Sequence, residues 1–282
     1  MKIYICSNEN QLIGAKVSKH SIMHRSKYKD DDIRILLDSD FLEIQNFFSK
    51  PHFRNGKKTI ITSEDLQSFT LLRFIIPELM QFSGRALVID PDIFQVKNGI
   101  ELLEQYNKGD ASIYARKGTK QGSWSSSAML LSCNKLRHWS LKSLINRLHE
   151  GEIDYADLIS LKLEEEKILP LQTRWNEFDA IKPETVLLHT TEKLTQPWRT
   201  GLKLNSHIPP IFNFFPRAPI YKIFGKDLTI GREHPEPNIV NFFMSELKRC
   251  INDGVISNQE ITWAISKGFV RKDILSILER FK

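Results

Sequence analysis

The feature that most constrains the fold is an alternation of short apolar runs with helical patterns along most of the chain. The strand-like runs are residues 3–6, 33–37, 59–62, 86–89, 111–115 and 128–131. Apolar residues at helical spacing lie between them, in residues 14–25, 41–48, 69–80 (with a break near Pro77) and 99–106. Such alternation predicts an α/β protein whose sheet is flanked by helices and binds ligands at the carboxyl ends of its strands.

The C-terminal part of the sequence has a different character. Six of the twelve prolines fall within residues 205–237, which we interpret as an irregular, aromatic-rich segment. Beyond it the apolar residues recur at helical spacing, and Ser257 with Glu260 has the spacing of a capping box. We therefore predict a main domain over residues 1–204, the irregular segment 205–237 and a small helical unit over 238–282.

Charge and cysteine content narrow the class of protein. The 282 residues include 40 Lys and Arg against 34 Asp and Glu, and the sequence pI is near 9.1. This excess favours anionic partners, but no nucleic-acid-binding motif is visible, so we expect no nucleic-acid partner. Three scattered cysteines argue against a disulfide framework and favour a cytoplasmic location. No apolar run approaches the roughly 20 residues of a membrane span, so we expect at most peripheral membrane contact.

Two Asp-x-Asp pairs follow apolar runs, Asp38 and Asp40 in ILLDSDFL, and Asp90 and Asp92 in LVIDPDIF. Asp40 is followed three positions later by Glu43 and then by a helical run. This is the signature of a capping box, in which a carboxylate accepts the free N–H groups of a helix N-terminus. We therefore predict that Asp40 is a helix cap.

The second pair has no such explanation, because residues 94–96 look extended. Pro91 biases Asp90 towards extended geometry and has no N–H of its own. Two adjacent carboxylates without a local partner repel each other, and a bound divalent cation relieves that repulsion. Oxygen ligands of this type suit Mg²⁺ or Mn²⁺, although an Asp-x-Asp pair alone is a weak signal.

The order of several stretches resembles that of the family 8-type glycosyltransferases, metal-dependent enzymes of the GT-A fold that use nucleotide-sugar donors. The stretches are IYICSNENQLIGAKVSKHSI, RFIIPEL followed by GRALVIDPD, SSSAMLL, LPLQTRWN and LLHTTEKLTQPW. Together they cover roughly residues 1–200, a length consistent with a single α/β domain. The resemblance implies a GT-A-like mixed sheet that binds a nucleotide sugar, with Mn²⁺ or Mg²⁺ as cofactor.

The resemblance also implies roles for individual residues. His189 matches the third protein ligand of the metal, beside Asp90 and Asp92. Arg73 matches a basic residue near the donor sugar, and Asp157 lies where the family has an Asp-Gln pair beside the reacting sugar, which implies catalytic roles for both. The residues implied in donor binding are Ile5, Cys6, Ser7, Asn8, Arg73, Asp90, Pro91, Asp92, Ser127, Lys193, Trp198 and Arg199.

Several positions depart from the family pattern, among them the Asn and Gly of the donor-site stretch, which are both replaced in SSSAMLL, and two further departures change the charge of the site. Asn8 stands where the family usually has an acidic contact to uracil. Gln196 stands where the family has a lysine before Pro-Trp, and a neutral amide cannot offset phosphate charge. We therefore expect Lys193 or Arg199 to supply that charge.

The activity implied is transfer of a sugar from a UDP-sugar to an acceptor hydroxyl, with retention of anomeric configuration. The sequence does not indicate whether the acceptor is a sugar, a lipid, a protein or a metabolite. Two alternatives stay open. A metal-dependent nucleotidyltransferase would use the same aspartates but leave His189 without a role, and a non-catalytic nucleotide-sugar-binding protein of the same fold would bind without turnover.

Overall fold

The computed structural model describes residues 1–107, 109–118, 121–204 and 229–281. Most of the predicted irregular segment 205–237 therefore lies outside the described residues. The strands are β1 (Lys2–Ser7), β2 (Ile33–Leu37), β3 (His52–Arg54), β4 (Lys57–Thr59), β5 (Arg85–Ile89), β6 (Ile93–Gln95), β7 (Ile113–Lys117), β8 (Trp124–Ser132), β9 (Ile168–Pro170), β10 (Glu177–Phe178) and β11 (Leu187–His189).

The helices flank these strands. The α-helices are α1 (Leu12–His24), α2 (Leu42–Phe47), α3 (Ile76–Leu79), α4 (Leu141–Glu150), α5 (Tyr155–Ile159), α6 (Pro237–Asn252), α7 (Asn258–Ser266) and α8 (Ile274–Leu278). Short 3₁₀ helices are Glu9–Gln11, Asp30–Asp32, Asp38–Asp40, Ser68–Phe74, Ile100–Gln105, Cys133–Lys135, Lys162–Lys167, Thr173–Trp175 and Lys193–Thr195.

The central sheet has the strand order β2-β1-β5-β8-β7-β9. Strand β1 pairs in parallel with both β2 and β5, whereas β8 is antiparallel to β5 and β7. Because β2, β1 and β5 run in the same direction, the residues that follow them meet at one edge of the sheet. These residues are Asp38, Asn8 and Asp90. The predicted α/β class with a mixed sheet is confirmed.

The link Asp90–Asp92 connects the central sheet to a second, three-stranded sheet. Strand β6 is antiparallel to β11, and β11 is parallel to β10. Only Asp90, Pro91 and Asp92 separate β5 from β6, so this link carries the chain from one sheet to the other. Because His189 pairs with Ile93 in the β6–β11 register, the end of β11 lies next to Asp92.

The C-terminal helices pack against the α/β domain through an apolar cluster of their own. Trp198 stacks on Phe243 of α6 with ring centroids 4.7 Å apart and meets Phe94 of β6 edge-on at 6.0 Å. The capping box predicted at the start of α7 is confirmed, because Ser257 and Glu260 each accept the other's backbone N–H. None of the helices in the described ranges has the length and apolarity that spanning a bilayer requires.

Some local predictions need correction. The strand predicted over residues 59–62 ends at Thr59 and belongs to the β3–β4 hairpin, outside the central sheet. Residues 69–80 form a 3₁₀ helix followed by α3, and Pro77 lies in the first turn of α3 rather than breaking it. A proline is tolerated there because the first N–H groups of a helix have no intrahelical partner.

The predicted helix cap at Asp40 is wrong. The 3₁₀ turn Asp38–Asp40 shifts the start of α2, so that its N-cap is Phe41 and no side chain caps it. Asp40 is exposed, and the other member of the pair, Asp38, is buried. The helix therefore starts one residue later than predicted, and Glu43 is two positions after the N-cap instead of the three that a capping box requires.

Candidate metal and donor site

Asp90, Asp92 and His189 converge at the edge where the two sheets meet. All three are buried, and one ligand atom from each lies within 4.8 Å of the others. His189 Nε2 is 3.3 Å from Asp92 Oδ1, but this contact lacks the geometry of a hydrogen bond, and Asp92 Oδ1 has no other partner among the described residues. The two groups form an ion pair when His189 is protonated, and when His189 is neutral Asp92 Oδ1 has no hydrogen-bond partner among the described residues.

A divalent cation would account for this arrangement. A buried acceptor without a partner is costly, so native proteins rarely leave one unsatisfied. Ligands about 2.1 Å from a Mg²⁺-sized ion and at right angles lie roughly 3 Å apart, close to the spacing of the two atoms. Two carboxylates and one imidazole form a mixed oxygen and nitrogen donor set that is compatible with a divalent metal such as Mn²⁺. The residues present therefore fit the metal that the sequence resemblance implies.

The imidazole of His189 is oriented by Asn176. Nδ1 of His189 lies 2.9 Å from Asn176 Oδ1 and donates to it, which leaves the lone pair of Nε2 for a metal. Asn176 Nδ2 donates in turn to Ser127 Oγ at 3.1 Å. Burial acts to lower the pKa of His189, but the charges of Asp92 and Asp90 outweigh it and raise that pKa. A metal would thus compete with a proton at Nε2.

The two carboxylates are held by different donors. Arg73, buried in the 3₁₀ helix Ser68–Phe74, donates from Nε and Nη2 to Asp90 Oδ1 at 3.1 and 2.7 Å and from Nη2 to Asp90 Oδ2 at 2.6 Å. Its Nη1 donates to Ser126 Oγ at 2.6 Å. Burial raises the pKa of Asp90, against the opposing charge of Arg73. Gln196 Nε2 donates to Asp92 Oδ2 at 2.8 Å, which leaves Oδ1 as the free oxygen.

A close approach of backbone supports the link between the carboxylates. A Cβ atom on Gly14 of α1 would lie 2.9 Å from the carbonyl oxygen of Pro91 and 3.1 Å from the ring of Trp198. Because such distances are too short for a rigid neighbour, only glycine lets α1 pack directly beneath the Asp-Pro-Asp link.

The cluster opens into a cleft of about 480 Å³, a size typical of small-molecule sites. The cleft is lined by Gln11, Arg54, Asn55, Leu66, Gln67, Phe69, Arg73, Asp90, Asp92, Gly118, Ser123, Trp124, Ser125, Ser126, Ser127, Ala156, Ile159, Ser160, Phe178, His189, Thr191, Lys193 and Gln196. Lys193 makes no ion pair within the described ranges, and burial lowers its pKa. A partly buried cation thus faces the cleft without a carboxylate partner.

Comparison with solved structures relates this architecture to known enzymes. The galactosyltransferase LgtC, solved with donor and acceptor sugar analogues, matches with a TM-score of 0.50 and 13% identity, over 70% of this chain and 89% of that chain. The fold is GT-A-like. No protein-family model matches the sequence, and no curated protein does either.

Two further structures are similar at a lower level. Glycosyltransferase GlyE of Streptococcus pneumoniae TIGR4 has a TM-score of 0.48 and 15% identity, over 70% of this chain and 55% of that chain. Mouse xyloside xylosyltransferase 1 has a TM-score of 0.44 and 12% identity, over 67% of this chain and 97% of that chain. The fold assignment depends on the match to LgtC.

Within the GT-A-like domain, several residues predicted to bind the donor lie in the cleft and others do not. Arg73, Asp90, Asp92, Ser127 and Lys193 line it. Ile5, Cys6, Ser7, Asn8, Pro91, Trp198 and Arg199 are buried but do not line it. Asn8 accepts from the backbone N–H of Gln11 and donates to Ser68 Oγ and to the carbonyl of Asp65. Its side chain is therefore used inside the protein.

The structure places three predicted site residues away from the cluster. Trp198 is part of the apolar cluster beneath the C-terminal helices, since aromatic rings gain most from burial. Arg199 lies in a neighbouring cavity of about 530 Å³, where its Nη1 donates to the carbonyls of Asn10 and Phe269 and burial lowers its pKa to about 10. Asp157 pairs with Lys162 outside the cleft.

Sequence reasoning missed the residues that orient the ligands. Asn176 and Ser126 carried no predicted role, and Gln196 was interpreted only as a lost lysine. All three are buried polar side chains that bond directly to a ligand or to Arg73. For Asn176, an amide directly after Trp175 in TRWN is the sequence signal of a buried polar side chain, but it does not name the partner.

Proposed function

We propose that this chain is a family 8-type glycosyltransferase that transfers a sugar from a UDP-sugar to an acceptor hydroxyl, with retention. A divalent metal, Mn²⁺ or Mg²⁺, is bound by Asp90, Asp92 and His189. The observation that carries this proposal is the convergence of these three side chains in the cleft of a GT-A-like sheet, with one oxygen of Asp92 left unsatisfied. The shared fold with a galactosyltransferase supports the same reaction class.

When bound, the metal supplies Lewis-acid neutralisation of the charge that grows on the departing diphosphate, a contribution of several kcal/mol. The protein's own residues prepare the site for it. Gln196 fixes Asp92, Asn176 holds the His189 tautomer, and Arg73 holds Asp90. Lys193, without an ion pair in the described ranges, adds positive charge for the diphosphate in place of the lysine that the family has at position 196.

The proposal gives Asp157 no catalytic part, because its carboxylate pairs with Lys162 outside the cleft. Of the described residues that line the cleft, only Asp90 and Asp92 carry carboxylates, and both are assigned to the metal. Catalysis is therefore expected to depend on stabilising the leaving group and on positioning the acceptor. We place the enzyme in the cytoplasm, a location that three buried, unpaired cysteines support.

A thermal-shift experiment with UDP, with and without Mn²⁺, tests the donor site. Ligand at about 100 times its dissociation constant adds about 2.7 kcal/mol of stability, which raises Tm by a few degrees. We expect a rise in the wild type that needs both UDP and Mn²⁺, and none in Asp92→Asn. Asp40→Asn, in the other Asp-x-Asp pair, is the matched control and should respond like the wild type. A rise in Tm that does not depend on Mn²⁺, or that is retained in Asp92→Asn, would contradict the proposal.

Product analysis separates this function from the two alternatives. A glycosyltransferase releases UDP from its donor, whereas a nucleotidyltransferase releases pyrophosphate. A protein that binds UDP with Mn²⁺ but consumes no UDP-sugar, with any acceptor or with water, is a binding protein of this fold.

A further inference from the structure

The cleft contains one more positive charge than the proposed donor requires. Its described lining includes the cations Arg54, Arg73 and Lys193 but only the carboxylates Asp90 and Asp92. Arg73 is paired with Asp90. With a divalent cation and the two negative charges of a sugar diphosphate added, Lys193 brings the sum to neutrality. Arg54 is then left over, and a cation in a partly closed cleft attracts an anion.

Contacts with neighbouring elements hold Arg54 in a defined position. It ends β3, and the turn after it is anchored to α5 by Asp154, whose oxygens accept the backbone N–H groups of Asn55 at 2.9 Å and Gly56 at 2.8 Å. The Arg54 guanidinium lies 5.2 Å from the ring centre of Tyr155, which is buried. Such a cation–π contact fixes the side chain while leaving its N–H groups free to donate.

Arg54 has no carboxylate partner within ion-pair distance in the described ranges, and neither does Lys193. Arg54 and Lys193 line the same cleft. Burial lowers the pKa of Lys193, and the positive charge of Arg54 adds to this effect. Asp65 opposes this effect, but Asp65 Oδ1 accepts the backbone N–H of Gln67 and Asp65 does not line the cleft. Lys193 begins the 3₁₀ helix that leads to Gln196, and Gln196 donates to Asp92, so Lys193 is the cation beside the metal ligands.

We propose that Arg54 is an anion subsite for the acceptor, and that the acceptor is a sugar carrying a carboxylate or a phosphate. A guanidinium donates two parallel N–H groups to either anion, so both chemistries fit the same side chain. This inference rests on the proposed function, because the charge balance assumes a metal and a sugar diphosphate in the cleft.

Saturation-transfer NMR with three probes tests the subsite on the full chain loaded with UDP and Mn²⁺. The probes are methyl glucuronide, glucose 6-phosphate and the neutral methyl glucoside. We expect at least one anionic probe to bind about tenfold or more tightly than the neutral one, since hydrogen bonds to charged groups are the strong ones. Comparison of the two anionic probes then tells a carboxylate acceptor from a phosphate acceptor.

Arg54→Gln should abolish the preference for anions, Arg54→Lys should keep part of it, and none of these changes should alter binding of UDP with Mn²⁺. Lys58→Gln, an exposed lysine of the same hairpin that does not line the cleft, is the control and should behave as wild type. Equal binding of all probes, no binding of the anionic ones, or a preference that survives in Arg54→Gln overturns the subsite and leaves the proposed function standing. Weaker binding of UDP in Arg54→Gln would assign Arg54 to the donor site and would also overturn the acceptor subsite. Absence of metal-dependent UDP binding in the wild type removes both proposals.

Discussion

The two Asp-x-Asp pairs occupy matching places in the fold and differ in almost everything else. Asp38 follows β2 and Asp90 follows β5, the two strands that flank β1 in parallel, so both pairs begin at the same edge of the sheet. Asp38 is buried and Asp40 is exposed, whereas Asp90 and Asp92 are both buried. The pairs are alike in sequence but not in environment.

The difference lies in how completely the hydrogen bonds of each pair are satisfied. Ser68 Oγ donates to Asp38 Oδ2, and Asn8 donates to Ser68 at 2.8 Å. The Asp38 carboxylate thus has a hydrogen-bond partner within the protein. At the second pair, Arg73 and Gln196 leave Asp92 Oδ1 open beside His189. The proposed cation site thus differs from the other pair by an oxygen without a hydrogen-bond donor and by a further ligand nearby, and not by the spacing of its two aspartates.

The largest expected effect separates the two pairs by activity. Asp92→Asn should lower sugar transfer by roughly a thousandfold or more, because the loss of a metal ligand removes several kcal/mol of charge stabilisation. Release of UDP from a UDP-sugar is the measurement. Asp40→Asn should leave that rate within about twofold of wild type, as expected for a surface substitution. Comparable losses in both variants would erase the distinction.

A smaller effect is expected from the residue that orients His189. Asn176→Ala removes the acceptor of the Nδ1 proton, and loss of such a partner typically costs about 10–100-fold in metal affinity. Mn²⁺ titration followed by electron paramagnetic resonance measures it. Asn176→Asp keeps the acceptor oxygen and should retain most of the affinity. Equal losses in the two variants would mean that packing, and not the hydrogen bond, is what matters.

We expect the buried carboxyl group of Asp38 to make the stability of the protein depend on pH. Burial raises the pKa of Asp38 from 3.8 to about 6, so the contribution of this group is full below about pH 4 and is lost as pH rises through about 6. Asn cannot ionise, so Asp38→Asn should gain on the order of 2 kcal/mol relative to wild type between pH 4.5 and pH 8. Urea unfolding at both pH values measures the gain. If the difference in unfolding free energy between Asp38→Asn and wild type stays constant with pH, ionisation of Asp38 does not destabilise the fold.

The smallest expected effect tests the correction at Asp40. Because Asp40 caps no helix, Asp40→Ala should change the free energy of unfolding by less than about 0.5 kcal/mol. Ser257→Ala, at a capping box that is formed, should cost about 1 kcal/mol in the same urea titration. If Asp40→Ala costs as much as Ser257→Ala, the helix cap predicted from sequence is real after all.

Much of the fold was predictable because strands and helices leave periodic apolar patterns. The predicted strand at 33–37 has the observed bounds, and that at 86–89 differs by one residue. The hairpin around Arg54 was not predicted correctly, because its strands are three residues long and contain a single buried residue. Such short strands carry too few buried positions for a period-2 pattern to emerge.

The candidate site was predictable only in part. Asp90 and Asp92 stood out because a proline between them leaves no local donor, and His189 came from the resemblance to a family. Asn176 and Arg54 could not be connected to the site from sequence, and neither could the contact between Gln196 and Asp92. Gln196 and Asp92, for example, are 104 positions apart and meet only through the packing of the segment after β11 beside the Asp-Pro-Asp link.

The sequence by itself determined the alternation of strands and helices and the presence of two carboxylates at the end of β5, because both depend on local periodicity and on the constraints of Pro91. Only the tertiary structure decided which aspartate pair keeps one carboxylate oxygen without a hydrogen-bond donor. The pairing of β6 with β11 brings His189 beside Asp92, and the 3₁₀ helix Ser68–Phe74 supplies Ser68 to Asp38 and Arg73 to Asp90. Satisfaction of a buried oxygen depends on groups distant in the chain, and local sequence does not encode which of them will arrive.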